Sequence, residues 1–370
     1  MSGGVAIIGA GLAGAIAACR LASRGILAAV YTARPGATFL HGGGFYLGSN
    51  PSEWSSALTF AQTCLPALDI VLQKVDGIDV EGTRRRPDAA PATHAAMNLL
   101  GNRPAVANLV PAGHPFANMQ RFGTAVDVDF PARESAFGRS FASLAPLFDA
   151  EETAYLQLRC ALSRALEGGA FTGLLLPPIL GLRRTEELRA RLSLELGLPV
   201  AEAFGTTPST PGLRLAAALV DALETAKLPV HRSKVTAVQL DPLGLWIGDD
   251  LLPARAIIVA CGGPLITGHE QTGPAEVALG LLPIEPRLSP DPLRSSGVLG
   301  PYGGALFASG VRIDAQSRVL GHDHQPLHSG LFAAGDVTTD GTDPVLSRDA
   351  TGRALRTAYA AAEAIAREHG

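Results

Sequence analysis

Apolar and polar positions follow three regimes along the chain. Val5-Ala6-Ile7-Ile8 is an unbroken apolar run, the pattern of a parallel strand buried on both faces, and it leads through a glycine turn into an alanine-rich helix over 15–24. Residues 26–32 repeat the strand pattern, so the start predicts a βαβ unit. From about 51 to 230 the rhythm changes to helical periods at 54–72, 151–166 and 186–196, joined by proline-bearing connectors, with one apolar strand-like run at 173–181. Strands then return. Residues 229–231 and 234–238 predict a strand pair, 245–247 alternates after it, and 254–263 reads as a buried strand ending in small residues. Residues 264–319 are rich in proline and glycine, 329–337 is a last apolar strand ending at Gly335-Asp336, and 354–368 a last helix.

This order predicts an α/β fold. A Rossmann-like domain with a βαβ start and a C-terminal return takes 1–50, 229–263 and 320–370, and an inserted α+β substrate or cap domain takes 51–228 and 264–319. The turn after the first strand reads Gly9-Ala10-Gly11-Leu12-Ala13-Gly14, a G-x-G-x-x-G spacing in the strand–helix context that binds a dinucleotide. The first glycine makes the tight turn, the second admits a pyrophosphate, and the third lets helix and strand pack closely. The helix N-terminus offers amides and a positive dipole end to the anion.

An NAD site, and most FAD sites, would place Asp or Glu at the end of the second strand, and here the chain reads Thr32-Ala33-Arg34. The absence weakens NAD particularly and is tolerable for a flavin dinucleotide, FAD, whose other contacts are numerous. The remaining expected cofactor contacts are the backbone of Gly42-Gly43-Gly44 beside His41, Val235, the small residues Ala260-Cys261-Gly262 on the adenine side, Gly335-Asp336 at the ribityl chain, and Thr351-Gly352 at the opening of the last helix.

Composition narrows the class. The 370 residues are 47% hydrophobic and 17% charged, ample for buried cores, and a net charge of −4 argues against a nucleic-acid partner. Lys74, Lys227 and Lys234 are the only lysines. The four cysteines are scattered, so neither an iron–sulfur cluster nor another metal site is expected. No basic segment precedes the first apolar run and no apolar stretch is long enough to span a bilayer, so the chain reads as cytoplasmic. Arg84-Arg85-Arg86 reads as a solvated basic loop, and His322, His324 and His328 as residues of a solvated turn.

The βαβ start, the distal small-residue strand and the Ala-Ala-Gly-Asp strand at 333–336 resemble the two-domain FAD-dependent oxidoreductases. Two mid-chain segments, Leu175-Leu176-Pro177-Pro178-Ile179-Leu180-Gly181-Leu182 and Pro208-Ser209-Thr210-Pro211-Gly212-Leu213-Arg214-Leu215, add a resemblance to the smaller flavin-binding subunit of the anaerobic glycerol-3-phosphate dehydrogenase. The stretch 338–349 departs from that family's glycine-rich run. The resemblance implies oxidation of sn-glycerol 3-phosphate, a small phosphorylated polyol, to dihydroxyacetone phosphate. It also implies a complex with a catalytic flavoprotein subunit and an iron–sulfur membrane-docking subunit, quinone as indirect acceptor, and peripheral attachment to the inner membrane through a partner. It implies FMN, whereas the glycine triplet implies a pyrophosphate; FAD is the expectation and FMN the alternative.

Oxidising a secondary alcohol requires a base for the hydroxyl proton and cations for the phosphate. His41 is the candidate base, Arg214 and Arg348 the candidate anchors, with Arg133 and Arg139 behind them. Two other readings stay open: a flavin dehydrogenase or oxidase for an amino or hydroxy acid, and a non-catalytic flavin-binding relay or scaffold subunit.

Overall fold

The computed structural model describes residues 3–33, 38, 41–47, 51–109, 119, 122–130, 141–205, 209–262, 284–285, 310–339 and 350–369. The chain divides into two compact units, one of Met1–Ala37, Tyr46–Cys64 and Leu219–Gly370, the other of Thr38–Phe45 and Leu65–Ala218.

The first unit is built on a five-stranded sheet in the spatial order Val230–His231, β2 (Ala28–Tyr31), β1 (Val5–Ile8), Ala256–Val259, Leu331–Ala333. Every pairing is parallel, with Ile7 opposite both Val30 and Ile258, and Ile258 opposite Phe332. The continuous apolar runs have the physical reason expected of them: all four residues of β1 and of Ala256–Val259 are buried. Alternate residues face opposite layers. Ala6, Ile8, Ile257 and Val259 pack on an antiparallel meander of Val235–Leu240, Leu243–Ile247 and Asp250–Pro253, through Val238 and Leu245. Helix α1 (Leu12–Ser23) lies along the C-terminal helix Ala350–His369, where alanines such as Ala15, Ala18, Ala358 and Ala361, all fully buried, let the two backbones approach. Arg20 and Arg24 both pair with Glu363, at 2.6 and 2.8 Å, and the Arg20 guanidinium lies over the Phe60 and Tyr359 rings, drawing in α2 (Pro51–Cys64).

Two local expectations are corrected. Residues 229–231 and 234–238 are not a strand pair: Val230–His231 runs parallel to β2, whereas Val235–Leu240 pairs with Leu243–Ile247. Val230–His231 takes the edge of the parallel sheet, and the residues after it join a separate three-stranded antiparallel sheet. The helix expected over 54–72 stops at Cys64, because Pro66 removes an amide the helix would need; a short turn at Pro66–Leu68 follows. α2 thus belongs to the first unit, on the far side of the boundary expected near residue 50.

The second unit centres on four parallel strands in the order Val200–Glu202, Gly173–Leu176, Pro104–Asn108, Thr124–Asp127. Its core joins Leu174, Leu175, Leu176 and Val106 of the sheet to Leu158 and Leu162 of the helix Glu152–Leu166 and to Leu188 and Leu192 of the helix Thr185–Leu196. The arginine triplet is not a simple solvated loop. Arg84 pairs with Asp76, and Arg85 reaches Asp79, whose side chain is fully buried, at 2.7 Å. Among the described residues no helix is long and apolar enough to cross a membrane.

Candidate functional site

In the first unit the glycine turn is shaped by what lies against it. Gly9 has φ +110°, and a Cβ there would stand 2.2 Å from the carbonyl oxygen of Ala260. A Cβ on Gly14 would stand 1.9 Å from the oxygen of Gly9, so α1 sits directly on the turn. The Gly9 amide donates to Tyr31 O and the Ala260 amide to Ile8 O, both at 2.8 Å, which locks the ends of three strands together. Gly11 is the N-cap of α1, in extended conformation, with no side chain capping the helix and no acidic residue in its first turn. The first turn of a helix carries the positive pole of its dipole, which favours an anion there.

Gly335 brings the last strand to the same place: it has φ +79°, and a Cβ there would lie 2.9 Å from that of Ala13. Its amide donates to Thr357 Oγ1 at 2.9 Å. Gly9, Ala10, Gly11, Leu12, Ala13, Gly14, Ala260, Cys261, Gly262, Gly335 and Asp336 therefore gather at the carboxyl ends of the parallel strands. That end is where open α/β sheets bind ligands. Thr32 and Ala33 follow β2 at this end, with the Thr32 amide donating to His231 O at 2.9 Å, while the Tyr31 ring stacks on His231, centroids 4.9 Å apart. Val235 is buried in the meander core. Thr351 and Gly352 brace the start of the C-terminal helix: the Tyr46 amide donates to Thr351 Oγ1 at 2.9 Å, and the Gly352 amide to Tyr46 O at 3.0 Å. Arg34, Arg133, Arg139 and Arg348 lie outside the described residues.

His41, Gly42, Gly43 and Gly44 belong to the second unit. Among the described residues, the close neighbours of this glycine run are the protein's own atoms. Gly42 O accepts from the Gly205 amide at 2.9 Å, and a Cβ on Gly43, at φ +103°, would lie 2.7 Å from His94 Nε2. His94 is fully buried, stacked on Phe204 at 5.0 Å, with Nδ1 donating to the backbone oxygen of Glu202 at 3.0 Å. His41 Nδ1 accepts from the Gly43 amide at 3.2 Å. Burial pulls both imidazoles down to about 4, against smaller opposing pulls from the Gly44 backbone on His41 and from Glu202 on His94. His41, Gly43, Thr93, His94, Leu182 and Arg214 are among the residues lining one cleft, which holds about 420 Å³ of atom-free space counted out to its open mouth.

Arg214 is not the open anion anchor expected of it. The helix begins at Thr210, ahead of Pro211 and Gly212, which places Arg214 in its second turn. There its Nη1 and Nη2 donate to Glu202 at 2.5 and 3.1 Å and its Nε to Gly181 O at 2.7 Å. The fork that would grip a phosphate already grips a carboxylate. The early start has a cause in Ser209, whose Oγ accepts from the Gly212 amide at 3.2 Å while donating to His41 O at 2.7 Å. Ser209→Ala is expected to cost about 1 kcal/mol of stability, as the loss of an N-cap does, read as a lowered denaturant midpoint.

Thr93, His94 and Glu202 were not singled out from sequence. Glu202 had a signal, a lone charge inside the apolar run 199–204, where an ionised group requires a partner. His94 had none.

No family model matches the chain, and no curated protein matches it. Among solved structures it is similar to a 3-ketosteroid Δ1-dehydrogenase from Sterolibacterium denitrificans in complex with 1,4-androstadiene-3,17-dione: TM-score 0.45, 11% identity, over 98% of this chain and 99% of the other. It is similar to the open conformation of a flavocytochrome c3 fumarate reductase, with TM-score 0.42 and 11% identity over 99% of this chain and 78% of the other. It is also similar to CtdE in complex with FAD, with TM-score 0.36 and 9% identity over 96% and 82%.

Proposed function

We propose that the chain is an FAD-dependent oxidoreductase of the dehydrogenase class. The observation that carries this reading is the glycine turn at the start of α1, where Gly9, Gly14 and Gly335 let three backbone segments close on one another and the first helical turn holds no acidic residue. Such a cradle suits a pyrophosphate, which FAD has and FMN lacks. The missing acid after β2 weakens NAD more than a flavin. When bound, FAD supplies a hydride acceptor; the turn Gly9 to Gly14 and the start of α1 would hold its pyrophosphate.

The substrate we propose is sn-glycerol 3-phosphate, oxidised to dihydroxyacetone phosphate. The chain would act in a complex with a larger flavoprotein subunit and an iron–sulfur subunit that passes electrons to quinone at the membrane. Support for this finer reading is the resemblance of 175–182 and 208–215. With Arg214 engaged by Glu202, the phosphate anchor falls to Arg348.

The test is to denature the purified protein, identify the released cofactor, and add substrates anaerobically to the same preparation. FAD released, with flavin absorbance bleached by glycerol 3-phosphate alone or after the partner flavoprotein is added, supports the whole reading. Bleaching by an amino or hydroxy acid instead keeps the dehydrogenase and replaces the substrate. Released FMN removes the pyrophosphate argument, and a preparation that takes up neither flavin ends the proposal.

A further inference from the structure

Among the described residues, three buried polar atoms around the second-unit cleft have no hydrogen-bond partner: His41 Nε2, Thr93 Oγ1 and His94 Nε2. Burying such atoms unpaired costs about 1–3 kcal/mol each, so their convergence is unusual in a folded core. The two imidazoles are complementary. His94 uses Nδ1–H on the Glu202 carbonyl, which leaves Nε2 as a lone-pair acceptor. His41 uses Nδ1 to accept the Gly43 amide, which leaves Nε2–H as a donor. His94 Nε2 packs closely against the backbone of Gly43, where a Cβ would stand 2.7 Å from it, and Gly43 itself lines the cleft. Thr93, 3% exposed, adds a hydroxyl beside them. The remaining walls include Phe45, Leu182, Pro211 and Leu215.

The cleft is electrically quiet. Its cation Arg214 is matched by Glu202, and its carboxylate Glu186 is bonded to Arg189 at 2.8 Å. Both imidazoles are uncharged near neutrality. A phosphate or carboxylate finds no unmatched cation among these groups, whereas a hydroxyl oxygen can accept and donate at once.

We propose that this cleft recognises the hydroxyl group of a small alcohol, His41 Nε2–H donating to the hydroxyl oxygen and His94 Nε2 accepting its proton, with Thr93 Oγ1 as a third contact. The base role expected of His41 passes to His94. The inference deepens the dehydrogenase reading, and rests on it only for which alcohol arrives.

The test follows the imidazole nitrogens of the full-length protein by 15N magnetic resonance while glycerol, dihydroxyacetone or sn-glycerol 3-phosphate is added, with flavin content measured on the same samples. The expected result is that both histidine Nε2 signals move with glycerol and with glycerol 3-phosphate. Thr93→Val, isosteric and fold-preserving, should weaken the titration by about tenfold, as the loss of one buried hydrogen bond would. His94→Phe should abolish the response while His41 remains visible. Silent imidazoles with all three compounds overturn the inference even when FAD is bound, which leaves the flavin reading standing. Movement without flavin has the converse meaning. Movement unaltered in Thr93→Val and His94→Phe also overturns it, since the compounds would then act from elsewhere.

Discussion

Glu202→Gln is expected to destabilise the protein by about 3–5 kcal/mol, the cost of leaving one partner of a buried ion pair without the other. The carboxylate is fully buried and is the junction of four hydrogen bonds. Oε1 accepts from the Ile179 and Leu180 amides, both at 2.7 Å, and from Arg214 Nη2 at 3.1 Å, while Oε2 accepts from Arg214 Nη1 at 2.5 Å. Every neighbour is a donor, so the NH2 of a glutamine would face a donor in either orientation, and the guanidinium would lose its counter-charge. Equilibrium denaturation gives the measurement, and a loss below about 1 kcal/mol would contradict this account. The double variant Glu202→Leu with Arg214→Met should regain only part of the loss. It removes the stranded charge, but the amides of Ile179 and Leu180 still have no acceptor. The same substitution should disturb the cleft, because the backbone of Glu202 holds His94 by its Nδ1.

The second large effect is acid lability. His94 is fully buried and neutral, with its pKa lowered from 6.5 to about 4. Below pH 6.5 the unfolded chain takes up a proton on this residue that the folded chain refuses, so stability rises with pH between 4 and 6.5 and is lost as pH falls through that window. At about 1.4 kcal/mol per pH unit, His94 alone removes roughly 2 kcal/mol at pH 5 and about 3 kcal/mol below pH 4. His41, also lowered to about 4, acts in the same direction over the same range. Unfolding free energies measured from pH 7 to 4 should show this slope, and His94→Gln should make it shallower. A slope identical in the variant would mean that His94 titrates normally in the folded state.

The parts of the fold legible in the sequence are those where one residue type answers one local demand. Gly9, Gly14 and Gly335 lie where a Cβ would strike backbone or a neighbouring alanine, and the spacing of the first two alone predicted a tight strand–helix turn. The doubly buried strands announced themselves as unbroken apolar runs. What stayed hidden depends on distant partners. Val230–His231 is two residues long, too short to carry a period, and its pairing with β2 is set by the sheet. Arg214 looked available because its partner Glu202 sits on a separate strand, outside its own helix, and the helix start depends on how Ser209 is used. His94 is separated from Gly43 by fifty-one positions and from Glu202 by more than a hundred, so no window along the chain joins them.

The strand order of the first unit fixes when the cradle can come into being during synthesis. Gly9 is shaped against Ala260, and β1 pairs with residues 256–259, so the nucleotide turn has no wall until some 250 further residues have left the ribosome. At 5–20 residues per second that delay is roughly 10–50 s, and Leu331–Ala333 must follow before the sheet has its last strand. The second unit, whose residues end at Ala218, is fully translated before that wall exists. The glycine turn is therefore completed late in synthesis, and truncation anywhere before Ala256 leaves Gly9 without the strand end it is shaped against.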